Sequence, residues 1–144
     1  MTQKKMENTV MIRVLNGIAA LAALVGALAV NIWALPCQSA LELANGNMTP
    51  MRCLYTEKIA TLLFIVVILV ALWALLAKKD AWVVLVVLAV ALVLITFESA
   101  IGIGVCKNPM MCWTMATWIR ICAGIIGVAG IVGFALGVSK KQVR

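Results

Sequence analysis

The sequence predicts an all-α membrane protein: a four-transmembrane-helix bundle made of two helical hairpins that repeat in parallel, with the N and C termini cytoplasmic. Three observations carry this. The 144-residue chain is 65% hydrophobic and only 12% charged, where a soluble domain carries about 45–50% apolar residues and about 25% charge. The apolar residues collect in four runs of about 20, the length that crosses roughly 30 Å of hydrocarbon. And Pro50-Met51-Arg52-Cys53 returns 59 residues later as Pro109-Met110-Met111-Cys112. Each copy follows an apolar run that ends near another cysteine, Cys37 or Cys106, and each opens the next run.

A soluble bundle of four buried helices would need polar outer faces, and none of the four runs has one. The net charge of +7 does not point to nucleic acid. Lys4, Lys5, Arg13, Lys78, Lys79, Lys140, Lys141 and Arg144 all flank span ends on one side, the positive-inside pattern that sets orientation. The four spans use up most of the chain, so residues 1–144 are expected to form a single transmembrane domain.

In chain order, the basic start leads into a first span at about 14–35. A signal peptide also begins this way, but the run is long for a signal core. Its end, Ala34-Leu35-Pro36-Cys37, lacks a small-residue cleavage pattern, so it reads as a retained helix. Gly17, Ala20, Ala23 and Ala27 form a small-residue stripe suited to close packing in lipid. The first outer loop, about 36–58, is the longest polar stretch. Asn45-Gly46-Asn47 is a turn signal, and Gln38 to Ala44 is expected as a short surface helix or a segment lying across the membrane face. The second span covers about 59–77, and Lys78-Lys79-Asp80 turns the chain on the inner side. Trp82, at the interface where Trp is preferred, opens a third span at about 81–103. A second, very short outer loop follows at about 104–111. The fourth span, about 112–138, carries Gly124, Gly127, Gly130, Gly133 and Gly137 on one broad face that admits a neighbouring backbone. The small faces of spans one and four are the expected partners. Because both hairpins run in the same direction, the pseudo-two-fold axis would lie along the membrane normal.

Four cysteines, Cys37, Cys53, Cys106 and Cys112, fall on the outer side, where thiols tend to be oxidised; Cys122 lies inside the fourth span. Disulfides Cys37–Cys53 and Cys106–Cys112 would staple the two hairpins, although four cysteines allow three connectivities. Two chemical readings stand beside the staple: thiol–disulfide exchange between the loops, and soft-metal binding. Met48, Met51, Met110, Met111 and Met115 cluster with the outer cysteines, and thioether and thiolate sulfur favours Cu(I). An oxidised pair no longer offers thiolates, so no metal or other cofactor is assigned. Glu98 and Arg120 are the clear charges inside the spans. Glu98 lies eight residues before Cys106 and Arg120 eight after Cys112, which puts them at similar depth on antiparallel neighbours. An intramembrane ion pair is expected, either functional or a fixer of register. Thr96, Asn31 and Thr61 would extend a polar patch at that level.

At Pro36-Cys37 and at Met48-Thr49-Pro50-Met51-Arg52-Cys53, followed by Tyr55 and Thr56, the chain resembles a family of small four-span bacterial membrane proteins classed as a domain of unknown function. The resemblance covers nearly the whole chain and implies the fold and a plasma (inner) membrane location. It also suggests an association with exporter-type transporters. A second likeness is architectural: quinone-linked membrane thiol oxidases also use four helices with cysteine pairs at the outer face, and there Arg120 would orient a quinone. This chain departs from that pattern, because it has no Cys-x-x-Cys, the arrangement that usually makes a reactive pair. The resulting expectation is a non-enzymatic, multi-pass protein in the lipid bilayer, binding no nucleic acid. It would serve as an accessory or assembly subunit of a larger membrane complex such as an exporter, with a membrane-protein partner or as a homo-oligomer. The alternatives are a membrane thiol–disulfide oxidoreductase and a copper-binding or copper-transport protein.

Overall fold

A computed structural model describes residues 2–35, 41–42, 44–49, 52–77, 81–97 and 111–142. Among these the chain is helical apart from one small hairpin. Helix α1 spans Thr2–Leu28 and runs on through a π-helical turn, Ala29–Trp33. Strands β1 (Leu41–Glu42) and β2 (Met48–Thr49) pair antiparallel, Leu41 opposite Thr49 and Glu42 opposite Met48. Then come α2 (Arg52–Ala77), α3 (Trp82–Leu94) and α4 (Met111–Gln142).

The helix ends differ from the hydropathy limits for one physical reason: hydropathy marks the lipid slab, whereas a helix ends where its backbone bonding stops. Residues 2–13 hold no Gly or Pro, so α1 begins well before the apolar run. Likewise α2 is already helical at Arg52, within the expected outer loop, and α4 at Met111. Within the first outer loop, Leu41 and Glu42 are strand, so the expected surface helix over Gln38 to Ala44 does not form there. The turn signal holds: Gly46 takes φ +75°, a left-handed conformation that glycine adopts without steric cost. The third run gives only a short helix, closed by a turn that reaches Phe97. The rest of that expected span, 98–103, lies outside the described residues.

Helices α1, α2 and α4 are long and apolar enough to cross a membrane, and α3 is a shorter apolar helix; three such spans mark a multi-pass membrane protein. Packing makes a bundle in which α1 lies against α2 and α4, and α3 against α4 and, more lightly, α2. Cross-contacts show that both hairpins are antiparallel. Gly26 faces Phe64 while Asn31 bonds Thr61; Gly133 faces Trp82 while Arg120 bonds Thr96.

Each helix buries a seam in steps of three and four residues that average about 3.5, the period of left-handed helix packing. In α1 and its π turn the seam is Asn16, Ala19, Ala23, Gly26 and Val30, and in α3 and the turn that closes it the seam is Trp82, Leu85, Ala89, Leu92 and Thr96. Every α3 position lies 66 residues after its α1 counterpart. In α2 the seam is Cys53, Thr56, Ala60, Phe64, Val67, Ala71 and Ala74. The residues 59 positions later, Cys112, Met115, Ile119, Ala123, Ile126, Gly130 and Gly133, are all buried in α4.

Two packing expectations change. The small stripe Gly17, Ala20 and Ala27 is only half-buried, with Ala23 alone on the seam. The neighbouring residues Ala19 and Gly26 make the close contacts instead. The glycine face of α4 receives α3 rather than α1. A methyl at Gly130 would sit 2.8 Å from Val86 Cγ2, one at Gly133 would enter the Trp82 ring, and Gly127 meets Ala89. Trp82 is therefore buried against α4.

Candidate functional site

One end of the bundle gathers polar and aromatic side chains into a layer. The π-helical turn at the end of α1 begins it. A π turn moves the backbone donor to the carbonyl five residues back, seen here as Ala34 N–H donating to Ala29 O at 2.7 Å. Within that turn, Asn31 Nδ2 donates to the Ala27 carbonyl at 2.7 Å and to Thr61 Oγ1 of α2 at 3.0 Å. Thr61 in turn donates to Glu57 O at 2.9 Å. The same turn carries Trp33, whose ring meets Trp118 of α4 edge-on at 5.8 Å between centroids, with 74° between planes.

The second hairpin uses a related device. Thr96 is buried, and its hydroxyl donates to Val93 O at 2.7 Å. That fixes its proton and turns a lone pair outward, where Arg120 Nε donates to it at 3.0 Å. Arg120 Nη2 also reaches Thr96 O at 3.5 Å. The guanidinium lies over the Phe97 ring, 4.5 Å from its centroid, a cation–π contact. Arg120 itself is exposed on the outward face of α4. Asn31, Thr61, Thr96 and Arg120 thus lie in one layer, as the polar patch read from the sequence requires.

The remaining sequence candidates are distributed as follows. Glu98, the expected partner of Arg120, lies outside the described residues, as do Cys37, Cys106, Met51 and Met110. Cys53 and Cys112 are buried at equivalent places, 59 residues apart on the seams of α2 and α4, and Cys122 is buried midway along α4. No disulfide joins these three to one another. The expected staples each need one cysteine outside the described residues. Among the thioethers, Met115 is buried in the core while Met48 and Met111 are exposed, so burial separates them. Among the described residues no three His, Cys, Asp or Glu side chains converge as a metal site.

Three features of the layer escape sequence reasoning. The π turn leaves no residue signature. Phe97 beneath Arg120 is one aromatic among many apolar neighbours. The Trp33–Trp118 contact joins helices far apart in the chain. At the opposite end, Asn16 Oδ1 and Trp82 Nε1 are buried with no hydrogen-bond partner among the described residues. A lone Asn within an apolar span is a sequence signal that would have drawn attention to the first of these.

The chain belongs to a family described as a domain of unknown function (DUF4418), which covers residues 18–137. That range takes in α2, α3, most of α4 and the polar layer, but leaves residues 2–17 of α1 outside it. No curated protein matches the chain, and no solved structure does.

Proposed function

We propose that this member of the family is a non-enzymatic accessory or assembly subunit of a larger complex in the plasma membrane, such as an exporter. It spans the bilayer four times, as a parallel repeat of two hairpins with both termini cytoplasmic. The observation that carries the accessory role is the start of α1. In its first three turns no residue whose burial is described is buried, yet they are continuous with the membrane-crossing helix. Met6, Val10, Met11 and Val14 are exposed there and border a shallow groove with Gln3 and Glu7. Met6 is 68% and Val10 56% exposed. An apolar ridge with spacing i, i+4, i+8, carried on a rigid helix and set among Lys4 and Arg13, suits a helix-in-groove contact with a partner.

Four spans are supported by the shared seam period. It is the same in the short helix α3 as in the three long ones, and α3 packs against α4 as a full bundle member. The repeat is supported by the constant 66- and 59-residue offsets of the buried seams. The basic clusters beside the first turns of α1, the α2–α3 turn and the end of α4 support an inner-side placement of that bundle end. The outer end then carries the Pro-Met-x-Cys motifs.

The test is a photo-crosslinking residue at Met6 or Val10 in the full-length chain, in native membranes. A discrete cross-link to one membrane protein, lost when Val10 and Val14 are both replaced by Glu, is the expected result. Cross-linking only to lipid, with the double variant behaving as the parent chain, would refute the accessory role.

A further inference from the structure

Arg120 stands at a boundary. The apolar run that follows it in α4, Ile121–Val138, is about 27 Å long at 1.5 Å per residue, close to the thickness of a hydrocarbon core. Lys140 and Lys141 lie just past its far end. The other helices agree. The stretch from Arg13 to Asn31 in α1 and the stretch from Lys58 to Lys78 in α2 enclose runs of about 26 and 28 Å by the same rise. Hydrogen bonds level Asn31 with Thr61 and Arg120 with Thr96, and the Trp33–Trp118 contact, two residues from Asn31 and two from Arg120, levels the two pairs with each other. Trp33 and Trp118 sit at that level too, as an aromatic belt does. Arg120 is thus a charge at the outer edge of the slab, where an arginine side chain reaches the headgroups.

Its guanidinium is also oriented. Thr96 Oγ1 holds Nε at 3.0 Å, Phe97 covers one face, and Thr96 O takes an Nη2 hydrogen at 3.5 Å. The side chain is exposed, and among the described residues it has no carboxylate partner. A guanidinium has five donors in a planar fork. Two of these contacts use the edge that points into the protein, which leaves the outer edge for an oxyanion in bidentate geometry. We propose that Arg120, positioned by Thr96 and Phe97, binds a phosphate oxyanion: the phosphodiester of an outer-leaflet phospholipid.

The site does not depend on the accessory role. It is tested on the full-length protein in micelles doped with phosphatidylglycerol, by native mass spectrometry of the retained lipid. The parent chain should hold one phosphatidylglycerol. Arg120→Gln should bind it roughly tenfold to a hundredfold more weakly, the size of a lost charge-assisted pair. Arg120→Lys keeps the charge but not the fork, and should fall between. Thr96→Val leaves the charge in place and should weaken binding several-fold, so the proposal stays testable if Arg120→Gln fails to fold. Glu98→Gln should leave binding within about twofold. Retention by Arg120→Gln equal to the parent would overturn the site. So would a tenfold gain in Glu98→Gln, which would assign the guanidinium to that carboxylate. Displacement of the lipid by millimolar inorganic phosphate would make this a free-anion site instead. Loss of a co-purifying membrane protein in Arg120→Gln, with lipid unchanged, would assign Arg120 to a protein partner.

Discussion

Gly26→Ala is the sharpest test of how this bundle is held together. The seam of α1 is made of small residues, and Gly26 faces the fully buried ring of Phe64 on α2. A methyl group at Gly26 would lie 2.5 Å from Phe64 Cζ and 2.7 Å from Cε1. Carbon atoms prefer about 3.5–4.0 Å, so the ring must retreat by about 1 Å into a core with no room set aside for it. Overpacking of this kind costs about 1–3 kcal/mol. In a bilayer the loss is one of packing, since lipid tails are as apolar as the ring and burial alone drives little. Phe64→Leu by itself should cost on the order of 1 kcal/mol through the space it opens. Together the two changes relieve each other, and the double variant should be more stable than the sum of the singles predicts by at least about 1 kcal/mol. The assay is reversible unfolding in mixed micelles by SDS titration, followed by tryptophan fluorescence. Additive effects within about 0.5 kcal/mol, or a neutral Gly26→Ala, would refute the claim that α1 and α2 meet through this contact.

Two further outcomes are expected. Thr61→Val removes the acceptor of Asn31 and should destabilise the first hairpin by about 0.6 kcal/mol, and not more than about 1.7; a cycle with Asn31→Leu checks that the coupling belongs to this pair. Impermeant maleimide should leave Cys122 unlabelled in the folded protein. Under the stapled reading, it should label Cys37 and Cys106 only after strong reduction. Ready exchange with glutathione would instead favour the oxidoreductase, and thiols protected only by added Cu(I) would favour a metal site.

The membrane class, the helical hairpins and the polar layer were legible because each rests on residue types that the bilayer sorts strongly. Apolar runs, flanking lysines and rare intramembrane Asn, Thr and Arg are all costly to misplace. The packing faces were not legible. On α1 the seam Ala19, Ala23, Gly26 and the half-buried stripe Gly17, Ala20, Ala27 are both small and both at helical spacing. When lipid-facing and buried sides are equally apolar, hydropathy cannot separate neighbouring stripes. The same difficulty hid the partner of the α4 glycines. Their complement is the bulk of Trp82, which composition alone places at an interface. The reach of α2 beyond the apolar run was hidden for the related reason that Arg52 to Lys58 is polar yet helical.

The two hairpins place a cross-helix polar bridge at corresponding points, and they invert it. Arg120 lies 59 residues after Thr61, and Phe97 lies 66 after Asn31, the offsets that relate the buried seams. In the first hairpin the donor is on the leading helix and the threonine on the returning one. In the second, the threonine is on the leading helix and the donor, now an arginine, returns. Size is inverted in the same sense. Gly26 on the leading helix accepts Phe64, whereas in the second hairpin the leading Leu92 has its counterpart in Ala123, and Trp82 fills the glycines of α4. Complementary inversion lets the halves pack as unlike partners without a clash. An amide bonded to both Ala27 O and Thr61 has spent its donors within the protein. Arg120, in the place of Thr61, bonds Thr96 through Nε and Nη2, and among the described residues its other donors have no hydrogen-bond partner. The second hairpin, not the first, is therefore where this scaffold can hold an anion from outside itself.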